Sequence, residues 1–478
     1  MEQGGAAGRR TKIIATIGPA TWDPPVLEEL IGAGADVLRL NFSHAGQERQ
    51  KQTIGDIREA AEKVGREVAI LGDLPGPKLR IGSIGGDVVE LHADREVVLT
   101  EREVEGDETT IPVAWKGMAQ ALKPGEPVFL ADGAIRLRVR EVRNSDVVCE
   151  VEVGGPVSSH KGMNLPGSDT GLPAVAEKDL DWVDFSARNG VDLLAVSFVR
   201  RAKDLEPVEE RLQSLHSDIP LIAKIEKPEA AENAEEIIRA TTSGIMVARG
   251  DLGIELPLAR VPVIQKDLIR RAGQLSKPAI TATQMLASMV SSSRPTRAEV
   301  ADVANAIWDG TDAVMLSEET AVGRHPVEAV RVMDQIARET EQALPYGEWL
   351  FRRTDQATQD VADSVAQSAV GAVYRLGLKA MVVPTTSGRT ARLVSAHRPN
   401  LPVLAISPRI ETVRRLNLLF GVTAARCDYE SDVHGLLGTC AEMAARHGIA
   451  ESGDLIAITA GLADQELGTN LFEVHRVP

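Results

Sequence analysis

Between residue 11 and about 340, short apolar β-prone runs recur, each usually followed by apolar positions at helical spacing. The runs begin near Ile13, Val37, Val68, Leu193, Leu221, Gly244, Ala279 and Ala313, so their starts lie 24, 31, 125, 28, 23, 35 and 34 residues apart. Near-continuous apolar strands alternating with helices predict a parallel sheet covered on both faces. Eight such units match the count of a closed (β/α)8 barrel, whose repeat averages about 30 residues. The fold class read from this pattern is α/β, a TIM barrel.

The gap of 125 residues between the third and fourth runs is too long for a loop of a compact domain. Strand-like stretches at Asp87–Leu91, Glu96–Thr100, Pro127–Leu130, Ile135–Val142 and Val147–Val153 are bounded there by Gly, Asp, Asn and Pro. They predict a small all-β domain, an inserted β-barrel lid at 78–165, leaving the C-terminal end of the third strand. That end is the catalytic face of such barrels, where a lid would close. The barrel itself would then occupy 11–77 and 166–345. Beyond it, a helix at Thr358–Leu376 and strands at Ala380–Pro384, Val403–Ser407, Val422–Ala425, Leu455–Thr459 and near Phe472–His475 predict an open α/β domain over 346–478. The Gly-rich residues 1–10 read as a flexible tail.

The formal net charge is −16. No global field therefore draws the chain to nucleic acid or anionic lipid, and any phosphate must be met by local basic groups. Cys149, Cys427 and Cys440 are far apart and form no CxxC pair, which argues against a disulfide framework or a structural zinc site and suits a reducing compartment. The N-terminus carries no apolar signal core, and no run of about 18 apolar residues occurs. A soluble, cytoplasmic protein is expected.

A barrel makes a test available within the sequence: catalytic groups belong at the C-terminal ends of strands, with alternate residues sharing a face. Arg39, Asn41 and Ser43 stand at alternate positions in the second run, Asp73 ends the third, and Lys224 and Glu226 alternate in the fifth. The sixth ends Arg249-Gly250-Asp251, and the seventh carries Thr281 and Thr283. Buried charge is costly unless paired, so polar groups at so many strand ends point to a shared site. Glu226 and Asp251, at neighbouring ends, can hold a magnesium ion, which takes few protein oxygens. Lys224 would reach the same substrate as a point charge. The plainer alternative is a Lys224–Glu226 salt bridge at a barrel rim.

In their local sequences these residues resemble the pyruvate kinase family. The matching stretches are TKIIATIGPAT (11–21), LRLNFSHAG (38–46), GDLPGPKLRIG (72–82), HKGMNLPG (160–167), AVSFVR (195–200), IAKIEKPEA (222–230), IMVARGDLGIEL (245–256), TATQMLASM (281–289) and the long run 292–326. The resemblance implies transfer of the phosphoryl group of phosphoenolpyruvate to ADP, largely by positioning and charge stabilisation. It implies Glu226 and Asp251 as ligands of Mg2+ (or Mn2+), Lys224 facing the transferring phosphoryl group and the enolate oxygen, and Arg39 on the phosphoryl group. Asn41, His44, Arg80 and Lys161 match residues around the nucleotide. The turn holding Gly250 and Asp251 would offer backbone N–H groups to the substrate carboxylate. Thr283 would help protonate the enolate through a water, its alternative being a hydroxyl bonded within a strand end.

One departure stands out. Family members that need potassium typically bind it with residues like Asn41 and Ser43 plus an Asp-Thr pair, in a motif reading Asp-Thr-Lys-Gly-Pro-Glu. Here the stretch is Asp73-Leu74-Pro75-Gly76-Pro77-Lys78. Leu74 removes a hydroxyl and Lys78 adds a tethered cation, so activity independent of K+ is expected. The bland alternative is a solvated lysine at the hinge of the insertion. In the C-terminal region, Thr385-Thr386-Ser387-Gly388-Arg389-Thr390 follows a strand and opens a helix, a pattern that can cradle a phosphate or merely cap the helix. The resemblance implies a phosphorylated allosteric effector there, a sugar phosphate or AMP, and a homotetramer. Two other functions compete: a phosphoenolpyruvate or pyruvate barrel lyase, which has no need of Arg80 or Lys161, and a non-catalytic sugar-phosphate sensor, against which the intact charged set argues.

Overall fold

Eight parallel strands close into a barrel in chain order: Lys12–Ile17, Val37–Asn41, Ala69–Asp73, Leu193–Val196, Leu221–Ile225, Ile245–Ala248, Ala279–Ala282 and Ala313–Leu316. This is a computed structural model, describing residues 8–478 apart from 87, 132, 169, 355–359, 430–431 and 462–467. Strand alternation sorts the side chains into two cores. Ile14, Val37, Ala69, Leu71, Leu193, Ala195, Ile222, Met246, Ile280 and Ala282 fill the interior. Ile13, Leu38, Leu40, Ile70, Leu194, Ala223 and Ile245 face outward and bury against the helices. The same alternation turns Arg39, Asp73, Lys224 and Glu226 inward, beyond the last apolar layer.

The insertion is a six-stranded sheet with a separate two-stranded ribbon. Residues 79–82 join its two edges: the Ile81 and Met163 N–H groups donate to the Lys161 and Leu79 carbonyls at 3.0 Å on one side, and those of Gly82 and Ala114 to the Pro112 and Arg80 carbonyls at 2.7 and 3.2 Å on the other. Strands at Thr110–Pro112, Gly155–Val157 and Met163–Asn164 are too short to show in the sequence pattern. The first strand of the insertion begins at Val89, and the expected Asp87 lies outside the described residues. Gly76, on the outgoing connection, adopts φ 65, and a Cβ there would stand 2.6 Å from the Phe198 ring, so the backbone passes where only glycine fits.

The C-terminal unit is a five-stranded sheet, ordered Val422–Arg426, Val403–Ser407, Ala380–Pro384, Leu455–Ala460 and Leu471–Arg476, the last strand antiparallel. Its leading helix is Val361–Leu376, Thr358 lying outside the described residues. This unit sits beneath the strand starts of the barrel. Leu418 enters the interior core, the Lys12 ammonium donates to the Val422 carbonyl at 2.7 Å, and Arg398 pairs with Asp312 at 2.9 Å. Arg9 and Arg10, expected in a flexible tail, are held instead. The Arg9 guanidinium is buried between Asp36 (2.8 Å) and Asp334 (2.7 Å), because both carboxylates sit beside the first strand. Residues 1–7 lie outside the described residues. No helix among the described residues is long and apolar enough to cross a membrane.

Candidate active site

The inward charges at the strand ends form one contiguous chain of ion pairs. Arg39 Nε stands 2.7 Å from Asp73 Oδ2 and its Nη1 donates to Thr16 Oγ1 at 3.0 Å. Asp73 Oδ1 faces Lys224 Nζ at 3.1 Å, and Lys224 in turn faces Glu226 Oε1 at 2.8 Å. Lys224 also donates to Ser197 Oγ at 2.7 Å. Its three N–H groups are thus all directed at protein oxygens, and the rim salt bridge weighed as an alternative is present. Glu226 Oε2 further accepts from the Phe198 backbone N–H at 2.8 Å.

The charges act on one another through a buried medium. Burial opposes the Lys224 ammonium, but Asp73 and Glu226 outweigh it and hold its pKa well above that of a free lysine. Burial likewise opposes the Asp73 carboxylate, yet Lys224 and Arg39 keep its pKa below the ordinary range. Glu226 goes the other way: burial and the nearby Asp251 charge push its pKa up, against Lys224. Asp251 therefore lies within electrostatic reach of both Lys224 and Glu226. Among the described residues no cluster of three or more His, Cys, Asp or Glu could hold a metal. Two carboxylates are what magnesium commonly takes from a protein, the remaining positions going to water and substrate oxygens.

At the seventh strand the alternate-face argument fails. Ile280 and Ala282 are the inward residues, and buried Thr281 bonds Thr311 Oγ1 at 3.0 Å on the other side. Thr283 reaches the mouth because its backbone is left-handed, φ 72, followed by Gln284 at φ 54. Its hydroxyl accepts from the Gly250 N–H at 2.7 Å and donates to the Ala282 carbonyl at 2.6 Å. The Gly250 N–H expected to face a substrate carboxylate is thus taken by Thr283, which makes the hydrogen bond at the strand end that had been weighed as its alternative role.

Toward the insertion, burial and then Arg80, Lys78 and Arg39 lower the pKa of His44, so these four groups share one rim. Lys78, Arg80 and Lys161 are exposed. Arg80 donates to the His160 carbonyl at 3.0 Å, and the Ile81 N–H meets the Lys161 carbonyl at 3.0 Å, which places both bases at the root of the insertion. Asn41 Oδ1 accepts from the Ser43 N–H at 3.0 Å, and Leu74 is buried in the helix-facing core. The 385–390 segment lies in the C-terminal unit, apart from this mouth. There Gly388 N–H is capped by Thr385 Oγ1 at 2.9 Å, the Arg389 N–H approaches Ser387 Oγ at 3.4 Å, and Thr386 Oγ1 lies 3.4 Å from the Tyr429 hydroxyl. The Arg389 guanidinium pairs with Asp360 at 2.8 Å, and the Thr390 hydroxyl meets Thr469 at 2.7 Å.

Ser197 and Thr16 are site residues that the sequence reading missed. Both follow the inward parity, Ser197 after Leu193 and Ala195, Thr16 after Ile14, so the period-2 rule that found Arg39 would have found them.

Comparison with known proteins identifies the family. The pyruvate kinase barrel-domain model matches residues 8–330 and the pyruvate kinase alpha/beta-domain model matches 363–475. A pyruvate kinase of Geobacillus stearothermophilus is 44% identical over 473 residues, 98% of this chain and 80% of the relative. One from Thermococcus litoralis is 41% identical over 476 residues, 98% and 99% of the two chains. The crystal structure of a pyruvate kinase from Cryptosporidium parvum superposes with a TM-score of 0.93 at 34% identity, covering 98% of this chain and 96% of that one. The lyase and sensor readings give way: the chain belongs to the pyruvate kinase family, phosphotransferases acting between phosphoenolpyruvate and ADP.

Proposed function

We propose that the mouth lined by Arg39, Asp73, Lys224, Glu226, Asp251 and Thr283 is where that transfer occurs, in the presence of Mg2+ or Mn2+. The observation that carries this reading is the Lys224 ammonium lodged between Asp73 and Glu226 with Asp251 in reach. Two cations and two carboxylates cancel among Arg39, Asp73, Lys224 and Glu226, and Asp251 leaves an excess negative charge. Glu226, whose pKa burial and Asp251 push up, would be relieved by a divalent cation, so the residues fit one. Glu226 and Asp251 would hold it, and it supplies charge neutralisation for substrate oxygens.

As the substrate's P–O bond breaks, its electron pair stays on the enolate oxygen while an ADP phosphate oxygen forms the new bond. Lys224 offsets charge on the enolate oxygen and the moving phosphoryl group, and Arg39 faces that group. The enolate then takes a proton at its methylene carbon, Thr283 ordering the water that delivers it. Gly250 and Asp251 orient the substrate, the Gly250 N–H exchanging Thr283 for a substrate oxygen. Asn41, His44, Arg80 and Lys161 meet the nucleotide. A Lys224→Met variant tests the core of this: ATP formation in a coupled assay should vanish, and retention of a tenth of the turnover would refute it.

One finer reading rests on the same rim. Lys78 stands in for the monovalent cation: Asp73 is committed to Arg39 and Lys224, and Leu74 has no side-chain oxygen, its carbonyl accepting from the Ser197 hydroxyl. Turnover without sodium or potassium should match turnover with potassium, and Lys78→Glu should create a requirement. A large stimulation of the parent by K+ would sink the idea. The 385–390 loop takes the phosphate of a sugar phosphate or AMP, so Ser387→Asp should abolish activation by such an effector, whereas unchanged activation would exclude the site. The inserted domain at 78–165 acts as a lid on the barrel of 11–77 and 166–345, and the C-terminal domain at 346–478 is regulatory. The enzyme acts in the cytoplasm as a homotetramer.

A further inference from the structure

Thr283 is β-branched, and it and Gln284 occupy consecutive left-handed conformations. Such residues persist there only when their surroundings over-determine them. The surroundings are supplied by the residue next to Gly250. Arg249 Nη2 donates to the Thr283 carbonyl at 2.9 Å, and Nε donates to the Ala282 carbonyl at 3.3 Å. Nη2 also lies 2.8 Å from Met285 Sδ. Behind it, Nη1 is anchored by Asp302 at 2.8 Å and by Gln265 Oε1 at 3.3 Å. Thr283 is therefore held at both ends by two successive residues of the sixth strand end, its carbonyl by Arg249 and its hydroxyl by the Gly250 N–H.

We propose that Arg249 is a positioning residue: by spanning the carbonyls of Ala282 and Thr283 it keeps the left-handed turn that aims the Thr283 hydroxyl into the mouth. Strand parity alone would carry Thr283 to the outer face, with Thr281. The planar fork of arginine suits this span, while a lysine offers a single point of attachment and cannot bridge both carbonyls in fixed geometry. Arg249 touches no reacting atom in this role. It acts through Thr283, and the inference rests on the reading above that Thr283 orders the proton donor for the enolate.

The test separates proton transfer from phosphoryl transfer. Exchange of the methyl hydrogens of pyruvate with solvent deuterium, followed by proton NMR, reads the enolate step. Steady-state kinetics read kcat and KM for phosphoenolpyruvate. Arg249→Lys keeps a charge for Asp302 and should slow exchange tenfold or more with KM changed less than threefold. Thr283→Ala should slow exchange similarly, and the double variant should be no slower than Thr283→Ala, because one residue works through the other. Exchange at the parental rate in Arg249→Lys, with Thr283→Ala slow, overturns the positioning role alone. A double variant slowed by the product of the single effects overturns it too, since Arg249 would then act independently. Parental exchange in Thr283→Ala overturns the reading of Thr283 and this inference with it. Should Arg249→Lys not fold, Asp302→Asn, which loosens the same guanidinium from behind, carries the identical comparison.

Discussion

Asp73→Asn probes the ion-pair chain with the least change in shape. Asp73 is 2% exposed and its two oxygens face different cations, Arg39 at 2.7 Å and Lys224 at 3.1 Å. An amide has one accepting oxygen, so its NH2 group must point at the other cation. The variant loses one charge-assisted bond, worth about 1.5–3 kcal/mol. It also leaves Arg39 and Lys224, which already oppose each other, with no carboxylate between them, Glu226 lying on the far side of Lys224. Breaking a buried pair in this way costs about 3–5 kcal/mol in total. The urea midpoint of the barrel should fall accordingly. Turnover should drop about 100-fold, the kinetic equivalent of roughly 3 kcal/mol of lost transition-state stabilisation. Adding Arg39→Met restores the charge balance, so the double variant should regain part of the stability but none of the activity. If Asp73→Asn kept its urea midpoint and turned over within threefold of the parent, the ion-pair chain would not be what holds Lys224 in place.

Other outcomes follow from buried groups elsewhere. Burial pushes the Lys12 ammonium down to about 8 from 10.5. The unfolded chain then binds more protons than the folded one between about pH 8 and 10.5, so stability rises with pH across that window by about 3 kcal/mol. Lys12→Met should lack this rise, and equal pH slopes of the urea midpoints would contradict the assignment. Cys149 and Cys440 have thiols pushed up to about 12 by burial, while Cys427 is only half-buried. One thiol of the native protein should react with a disulfide reagent before denaturant is added, and two or three fast thiols would be inconsistent. Gly65 and Gly76 both have positive φ, but a Cβ meets nothing within 4 Å at Gly65 and the Phe198 ring at 2.6 Å at Gly76. Gly65→Ala should cost about 1 kcal/mol of strain and Gly76→Ala up to about 3. Equal losses in thermal unfolding would argue that contact with Phe198 is irrelevant.

Much of the molecule was legible before any coordinates because the relevant signals are local. A buried parallel strand is apolar on both faces, so the eight runs stand out one by one. Side chains alternate, so Val37 and Arg39, or Ile222 and Lys224, share a face by arithmetic alone. That is enough to place Arg39, Asp73, Lys224 and Glu226 at one mouth once the barrel closes. The longer strands of the insertion were found in the same way. The segment that joins its edges was not, because pairings such as Ile81 with Val113 link residues that no local pattern connects.

What tertiary structure alone decided comes from contacts between distant parts of the chain. Arg9 looked like tail because its Gly-rich neighbours are local, whereas its partner Asp334 lies 325 residues away. Thr283 by alternation belongs to the outer face. It turns inward through a left-handed backbone that Arg249 holds from the neighbouring strand end, across 34 residues. The polar residues at each strand end are a property of sequence. Which of them touch, and therefore what charge each carries, is a property of barrel closure, since burial and proximity shift a pKa and neither exists in the extended chain.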